Sequence, residues 1–229
     1  MLATGNLNSR SGLDLSQQSG YTVVAEKLNV LRYLSHFRSV HRGAYFAQVR
    51  TTTVRKLLPD SWGFLCPVHT PDGSPCGLLS HLSAPCTIVT ELADPEDVRA
   101  LLASALAPFG LLPALPGAMP PGYPAFMPVV SDGALLGFLS AAAAPAAVAH
   151  LRRRKTMEPA LSSTELALIP HVRGGAFPGL FAFSAPARLM RPVRQVGGEG
   201  GAGQVELIGS LEQAYLDIWR ALFYLLRIS

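Results

Sequence analysis

The segment from Arg55 to Leu79 constrains this chain more than any other. Pro59, Pro67, Pro71 and Pro75 alternate there with Gly63, Gly73 and Gly77, and an Asp72-Gly73 pair lies between apolar stretches. Proline fixes φ and glycine admits positive φ, so the segment specifies a shaped loop rather than a helix or a long strand. Arg55 and Lys56 stand at its mouth, where they suit a surface held against a phosphate backbone.

Charge is distributed to match. The net charge is only +4, but residues 1–60 carry eight Lys/Arg against three Asp/Glu, and residues 61–145 carry one against six. A basic front followed by an acidic middle directs any nucleic-acid contact to the first sixty residues. The chain of 229 residues is long enough to bury a core, as one large domain or two small ones. Its mean hydropathy of +0.28 is carried by alanine and leucine. The most apolar tracts, 101–115 and 134–149, are interrupted by proline or glycine and fall short of the roughly 20 residues of a membrane helix. The first residues lack the basic-then-apolar pattern of a secretory signal. An odd count of three cysteines argues against a disulfide scaffold and for a reducing compartment.

Apolar spacing predicts a helix over Tyr21–Arg38, with Leu28, Leu31 and Leu34 on one face. The β-branched run ending Val40–Thr53 predicts a loop leading into an extended piece, and the Pro/Gly loop then exits through a short helix or an extended segment near Leu78–Leu82. Ile88–Thr90 reads as a strand. Asp94-Pro95-Glu96-Asp97 reads as a helix start, with Asp94 as cap, Pro95 in the first turn and two acids at the positive helix end. Residues 107–128 are too rich in proline and glycine for a helix. Val129–Leu139, with Asp132-Gly133 inside it, fits a hairpin. Ala141–Arg154 reads as a helix, Thr164–Pro170 and Leu180–Pro186 as strands joined through Gly174-Gly175, 197–203 as a glycine loop, and Val205–Ile208 as a last strand. The fold class expected is α+β.

Cys66, His69, Cys76, His81 and Cys86 invite a zinc assignment, since zinc takes Cys and His in close pairs. There is no Cys-x2-Cys pair, and prolines stiffen the chain between the candidates, so the residues read as free thiols beside a structural loop. Ser35, His36, His69 and Asp72 form no nucleophile motif. Gly197–Gly201 lacks the Lys-Ser/Thr end of a phosphate-cradling loop. The stronger signal is Arg32, Arg38, Arg42, Arg50, Arg55 and Lys56 interleaved with Tyr33, His36, His41, Tyr45 and Phe46. Guanidinium groups bind phosphate and aromatic faces stack bases; the competing reading is a solvated basic face over core aromatics.

Trp62-Gly63-x-x-Cys66-Pro67-x-x-Thr70-Pro71-Asp72-Gly73, preceded by Leu34-Ser35-His36-x-Arg38, resembles the fork region of the second-largest (β-like) subunit of multisubunit RNA polymerases. With 21–29 and 34–43 included, the segment is most similar to the eukaryotic RNA polymerase I version. Ser163-Thr164-Glu165, 174–181 and Pro186–Pro192 resemble the external region that follows. The resemblance implies a fork-like domain over 1–90, an external-type α+β domain over 91–218 and an atypical tail over 219–229, the whole a truncated fragment.

It further implies a part in template-directed nucleotidyl transfer during ribosomal RNA synthesis, in the nucleus and nucleolus. Arg55 is then placed near template and incoming nucleotide, Asp72 near the RNA 3′ end, and Arg42 and Arg50 beside the downstream duplex, with Arg38 in the same nucleic-acid-facing set. No catalytic or metal-ligating residue is expected in this chain: the Asp-x-Asp-x-Asp pattern is missing, so the magnesium is expected on the largest subunit. The expected partners are that subunit, other polymerase subunits, template DNA and the RNA–DNA hybrid, with no membrane. Two other readings stay open, a non-catalytic interaction or assembly module and a self-contained nucleic-acid-binding module.

Overall fold

The computed structural model describes residues 5–6, 19–49, 51–90, 94–115, 125–172, 175–196 and 203–218. The chain divides into two compact units, Met1–Cys86 and Thr87–Ser229, with mixed helices and strands in an α+β arrangement.

In the first unit, helix α1 spans Val30–Phe37. It is shorter than the spacing of Tyr21–Arg38 predicts, because Asn29 holds extended backbone and its Oδ1 accepts from the Arg32 amide at 2.7 Å, a cap that sets the first turn. The preceding Thr22, Val23 and Val24 are β-branched and stay outside the helix. Strand β1 (Ser39–His41) follows, then a single helical turn, α2 (Tyr45–Gln48), within the stretch read as a loop, and a 3-10 turn, Thr53–Arg55, begins where that loop is expected to run into an extended piece. The Pro/Gly segment closes back on strand β2 (Leu79–His81), which pairs antiparallel with β1 in the register Ser39↔His81 and His41↔Leu79. The loop therefore leaves in extended form, not as a helix. Phe64 and Leu78, 2% and 1% exposed, are the apolar pins beneath it.

The second unit opens with β3 (Thr87–Ile88) and helix α3 (Pro95–Leu106). Asp94 caps α3 by accepting from the Glu96 amide at 2.9 Å, as its sequence predicts. Strands β4 (Leu112–Pro113), β5 (Phe126–Ser131) and β6 (Ala134–Ser140) come next, then helices α4 (Ala144–Met157) and α5 (Pro159–Ser162). Strands β7 (Glu165–Ile169), β8 (Gly179–Phe183), β9 (Leu189–Arg194) and β10 (Val205–Gly209) lead to a last turn, α6 (Ser210–Gln213). The predicted Gly174-Gly175 turn and the 197–203 glycine loop lie largely outside the described residues, as does the 219–229 tail.

One sheet has the order β4-β6-β5-β8-β7, antiparallel except between β5 and β8. Val98, Leu102 and Leu106 of α3 and Leu151 of α4 share a core with Val129, Leu139 and Leu180 of that sheet. Burying such side chains contributes about 1.5–3 kcal/mol each and holds the helices on the sheet. A smaller sheet runs β10-β9-β3. Strand β9 escapes sequence reading because Pro192 interrupts it. The structure accommodates that proline because β3 reaches only Leu189 and Met190, leaving the β3 side of Pro192 without a ladder.

Candidate nucleic-acid interface

The turn from Thr70 to Gly77 is closed at its neck by two side chains. Thr70 Oγ1 accepts from the Gly77 amide at 3.0 Å and donates to the Leu79 carbonyl at 2.8 Å. From the opposite side, Arg55 Nη1 donates to the carbonyls of Ser74 at 2.6 Å and Cys76 at 2.8 Å. Gly77 makes this approach possible. Its φ is +77°, and a Cβ there would collide with the Arg55 backbone. The Cys76 amide bonds to the Gly73 carbonyl at 3.1 Å and the Leu78 amide to the Pro75 carbonyl at 3.0 Å, so the turn is tied internally as well. Asp72 sits exposed within it, immediately before Gly73, whose φ is +80°.

The cations flank this turn. Arg42 is exposed; its amide bonds to the Leu78 carbonyl at 2.8 Å and its Nη2 reaches the Lys56 carbonyl at 3.4 Å. Arg42, Arg55 and Lys56 line a small cleft of about 70 Å³ together with Cys66, Thr70 and Gly77. None of the three is ion-paired with a carboxylate among the described residues. Their charge is left for solvent or for an anion. Arg38 is spent differently: its Nη2 donates to the carbonyls of Ser83 at 2.8 Å and Cys86 at 3.1 Å, tying α1 to the chain beyond β2. Arg50 lies outside the described residues.

His69 and His81 come together as a ring stack, and His81 Nδ1 lies 3.3 Å from the His69 carbonyl. Burial lowers the His81 pKa below its ordinary value, opposed by that carbonyl and reinforced by the nearby charges of His69, Arg32 and His36. Cys66 is half-buried, Cys76 exposed and Cys86 buried, and none of the three forms a disulfide. No three His, Cys, Asp or Glu side chains converge as metal ligands among the described residues.

Sequence reasoning missed Thr70 as the residue that closes the neck. The available signal was a threonine placed before Pro-Asp-Gly, where a hydroxyl readily bonds the backbone of its own turn.

Two family models match the chain. Residues 23–88 match RNA polymerase Rpb2, domain 3, and residues 136–191 match the RNA polymerase I, Rpa2 specific domain. Among similar proteins, the DNA-directed RNA polymerase I subunit RPA2 of Homo sapiens is 47% identical over 224 residues, covering 95% of this chain and 19% of its own length. DNA-directed RNA polymerase I subunit 2 of Arabidopsis thaliana is 45% identical over 226 residues, with the same shares. The rpa2 subunit of Dictyostelium discoideum is 47% identical over 226 residues, again with 95% of this chain and 19% of that protein. The chain thus spans about a fifth of the length of these relatives.

Proposed function

Because the chain belongs to the second-subunit family of RNA polymerase I, we propose that its first unit borders the polymerase active centre and holds nucleic acid there during RNA synthesis. The observation that carries this reading is the closed Thr70–Gly77 turn, with Asp72 exposed on it and the unpaired cations Arg42 and Lys56 beside it. Cations neutralise backbone phosphate and release counterions. A turn tied at its neck keeps their position fixed, which nucleotide addition requires.

In this reading Arg42 and Lys56 face phosphate, Arg50 is assigned the same task from the sequence resemblance alone, and Asp72 faces the RNA 3′ end. The reaction is attack of the RNA 3′ hydroxyl on a nucleoside triphosphate with release of pyrophosphate. The magnesium it needs sits on the largest subunit, so the polymerase complex is the enzyme and this chain shapes its cleft. The partners are that subunit, the other polymerase subunits, template DNA and the RNA–DNA hybrid, and the place of action is the nucleus and nucleolus. The exposed apolar side chains Leu31 and Leu34 of α1, with Leu28 just before its cap, support packing against further parts of such an assembly.

The test is the salt dependence of elongation-complex stability, in polymerase assembled with the full-length second subunit carrying Arg42→Ala and Lys56→Ala. The slope of log affinity against log salt is expected to flatten by about 0.9 for each duplex phosphate that the substituted chain no longer neutralises. An unchanged slope removes the phosphate-facing role.

A further inference from the structure

We propose that Arg55 and Thr70 are positioning residues for nucleotide addition, acting through the turn that presents Asp72 rather than by touching nucleic acid. The inference rests on the reading that places this turn at the active centre.

The geometry gives both side chains one task. Arg55 Nη1 is bonded to two carbonyls of the turn, Ser74 and Cys76. Thr70 Oγ1 holds the amide of Gly77 and the carbonyl of Leu79, joining the start of the turn to its end. Arg55 is itself placed by the 3-10 turn Thr53–Arg55, where its amide bonds to the Thr52 carbonyl at 3.1 Å. Its backbone packs so closely on Gly77 that no side chain fits between them. A cation at this site has two local functions available, neutralising phosphate or stiffening the neck. The Nη1 edge, directed at two carbonyls, serves the second. Thr70 carries no charge and serves the same neck, so a shared kinetic effect of the two residues cannot come from phosphate neutralisation.

The experiment uses polymerase assembled with the full-length second subunit, carrying Thr70→Val, Thr70→Ser, Arg55→Met, Asp72→Asn and the pairs of Asp72→Asn with each. Single-nucleotide addition yields kcat and KM for the nucleoside triphosphate, and elongation-complex stability is measured against salt. Thr70→Val and Arg55→Met are each expected to lower kcat by about 10- to 100-fold, the size of a misplacement on the order of 1 Å, with KM changed little. Thr70→Ser keeps the hydroxyl and is expected to restore kcat. Each pair with Asp72→Asn is expected to cost no more than its worse single change, because the effect runs through Asp72.

Additive losses, wild-type kcat in Thr70→Val, or a salt slope flattened by the value of one phosphate in Arg55→Met would each overturn the positioning role. If Thr70→Val does not assemble, Arg55→Met decides alone, since its kcat, its salt slope and its pairing with Asp72→Asn are all measurable. An Asp72→Asn polymerase with unchanged kcat has a different meaning. It removes the active-centre placement of the turn, and the positioning inference with it. Loss in Asp72→Asn together with a silent Thr70→Val removes the positioning inference alone.

Discussion

His69 and His81 lie ring over ring, their centroids 3.6 Å apart and their planes within 7° of parallel. His81 is buried on strand β2 and its carbonyl receives the Cys66 amide at 2.8 Å, so the stack ties the middle of the Pro/Gly segment to the strand it runs into. Burial holds the folded His81 pKa below the unfolded value of 6.5. The unfolded chain therefore binds more protons between the two values, and stability of the first unit falls as pH drops through about 6.5, levelling off below the folded pKa. Protection of the Cys66 amide against hydrogen exchange is expected to decrease from pH 7.5 to 5.5, by at most about tenfold per pH unit. His81→Gln should flatten that dependence. Equal protection factors at both pH values in the unsubstituted chain would show that His81 does not titrate in this range.

In the second unit, Arg152 forks between two buried carboxylates, Glu206 at 2.9 Å and Glu212 at 2.5 Å. Lys155, fully buried, lies 3.5 Å from the other oxygen of Glu212. Burial pushes the Lys155 ammonium down and the Glu212 carboxyl up from their ordinary ranges; their attraction for each other opposes both shifts, and Arg152 adds to it at Glu212. Removing one member of a buried ionic group strands the others. Arg152→Met is expected to cost about 3–5 kcal/mol. Arg154 pairs with Glu158 on a more exposed part of α4, and Arg154→Met is expected to cost about 0.3–0.5 kcal/mol. Thermal unfolding of the two variants side by side checks the contrast; similar losses would contradict it.

The second unit shows what was legible in sequence and what was not. Local chemistry was legible: Asp94-Pro95 marked the start of α3, and Asp132-Gly133 marked the turn between β5 and β6. Each works through bonds within a few residues. The Arg152 cluster joins positions 54 and 60 residues apart, and nothing in the periodicity of α4 or β10 reports such a pairing. In the first unit the loop character of 55–79 was plain from its prolines and glycines. The closure by Thr70 and Arg55 was not, because it depends on side-chain bonds across 7, 19 and 21 residues. The start of α1 was misplaced for the opposite reason: Asn29 made a local cap that apolar spacing overlooked.

Asp132 does more than turn the hairpin. Its φ is +47° and that of Gly133 is +82°, the left-handed pair that a tight two-residue turn needs. Its carboxylate also accepts from the Ser184 amide at 2.8 Å and the Ser184 hydroxyl at 2.6 Å, fixing the chain just after β8. Asp132→Ala loses these bonds and places an alanine in the left-handed region. A cost of about 2–4 kcal/mol is expected from the two effects together. Asp132→Asn tolerates the backbone and keeps an acceptor, so it should cost about half as much or less. Denaturant unfolding followed through the second unit distinguishes them, and equal losses would mean that backbone conformation is not part of the cost.

Gly209 is required for space, not for conformation. Its φ of −93° and ψ of 176° suit any residue, yet a Cβ there would run into the Glu165 carboxylate. That carboxylate, brought from β7, accepts from the amides of Leu211 at 2.8 Å and Glu212 at 3.0 Å, so a distant strand caps the α6 turn. Gly209→Ala is expected to displace Glu165 and cost about 2–3 kcal/mol, the value of two hydrogen bonds to a charged acceptor less what water restores. Glu165→Ala removes the cap and the obstruction together. In that background, adding Gly209→Ala should cost only a few tenths of a kcal/mol, because the alanine then meets no carboxylate. The double-mutant cycle is read by thermal unfolding. A full additional loss from Gly209→Ala without Glu165 would show that the glycine answers to something other than this carboxylate.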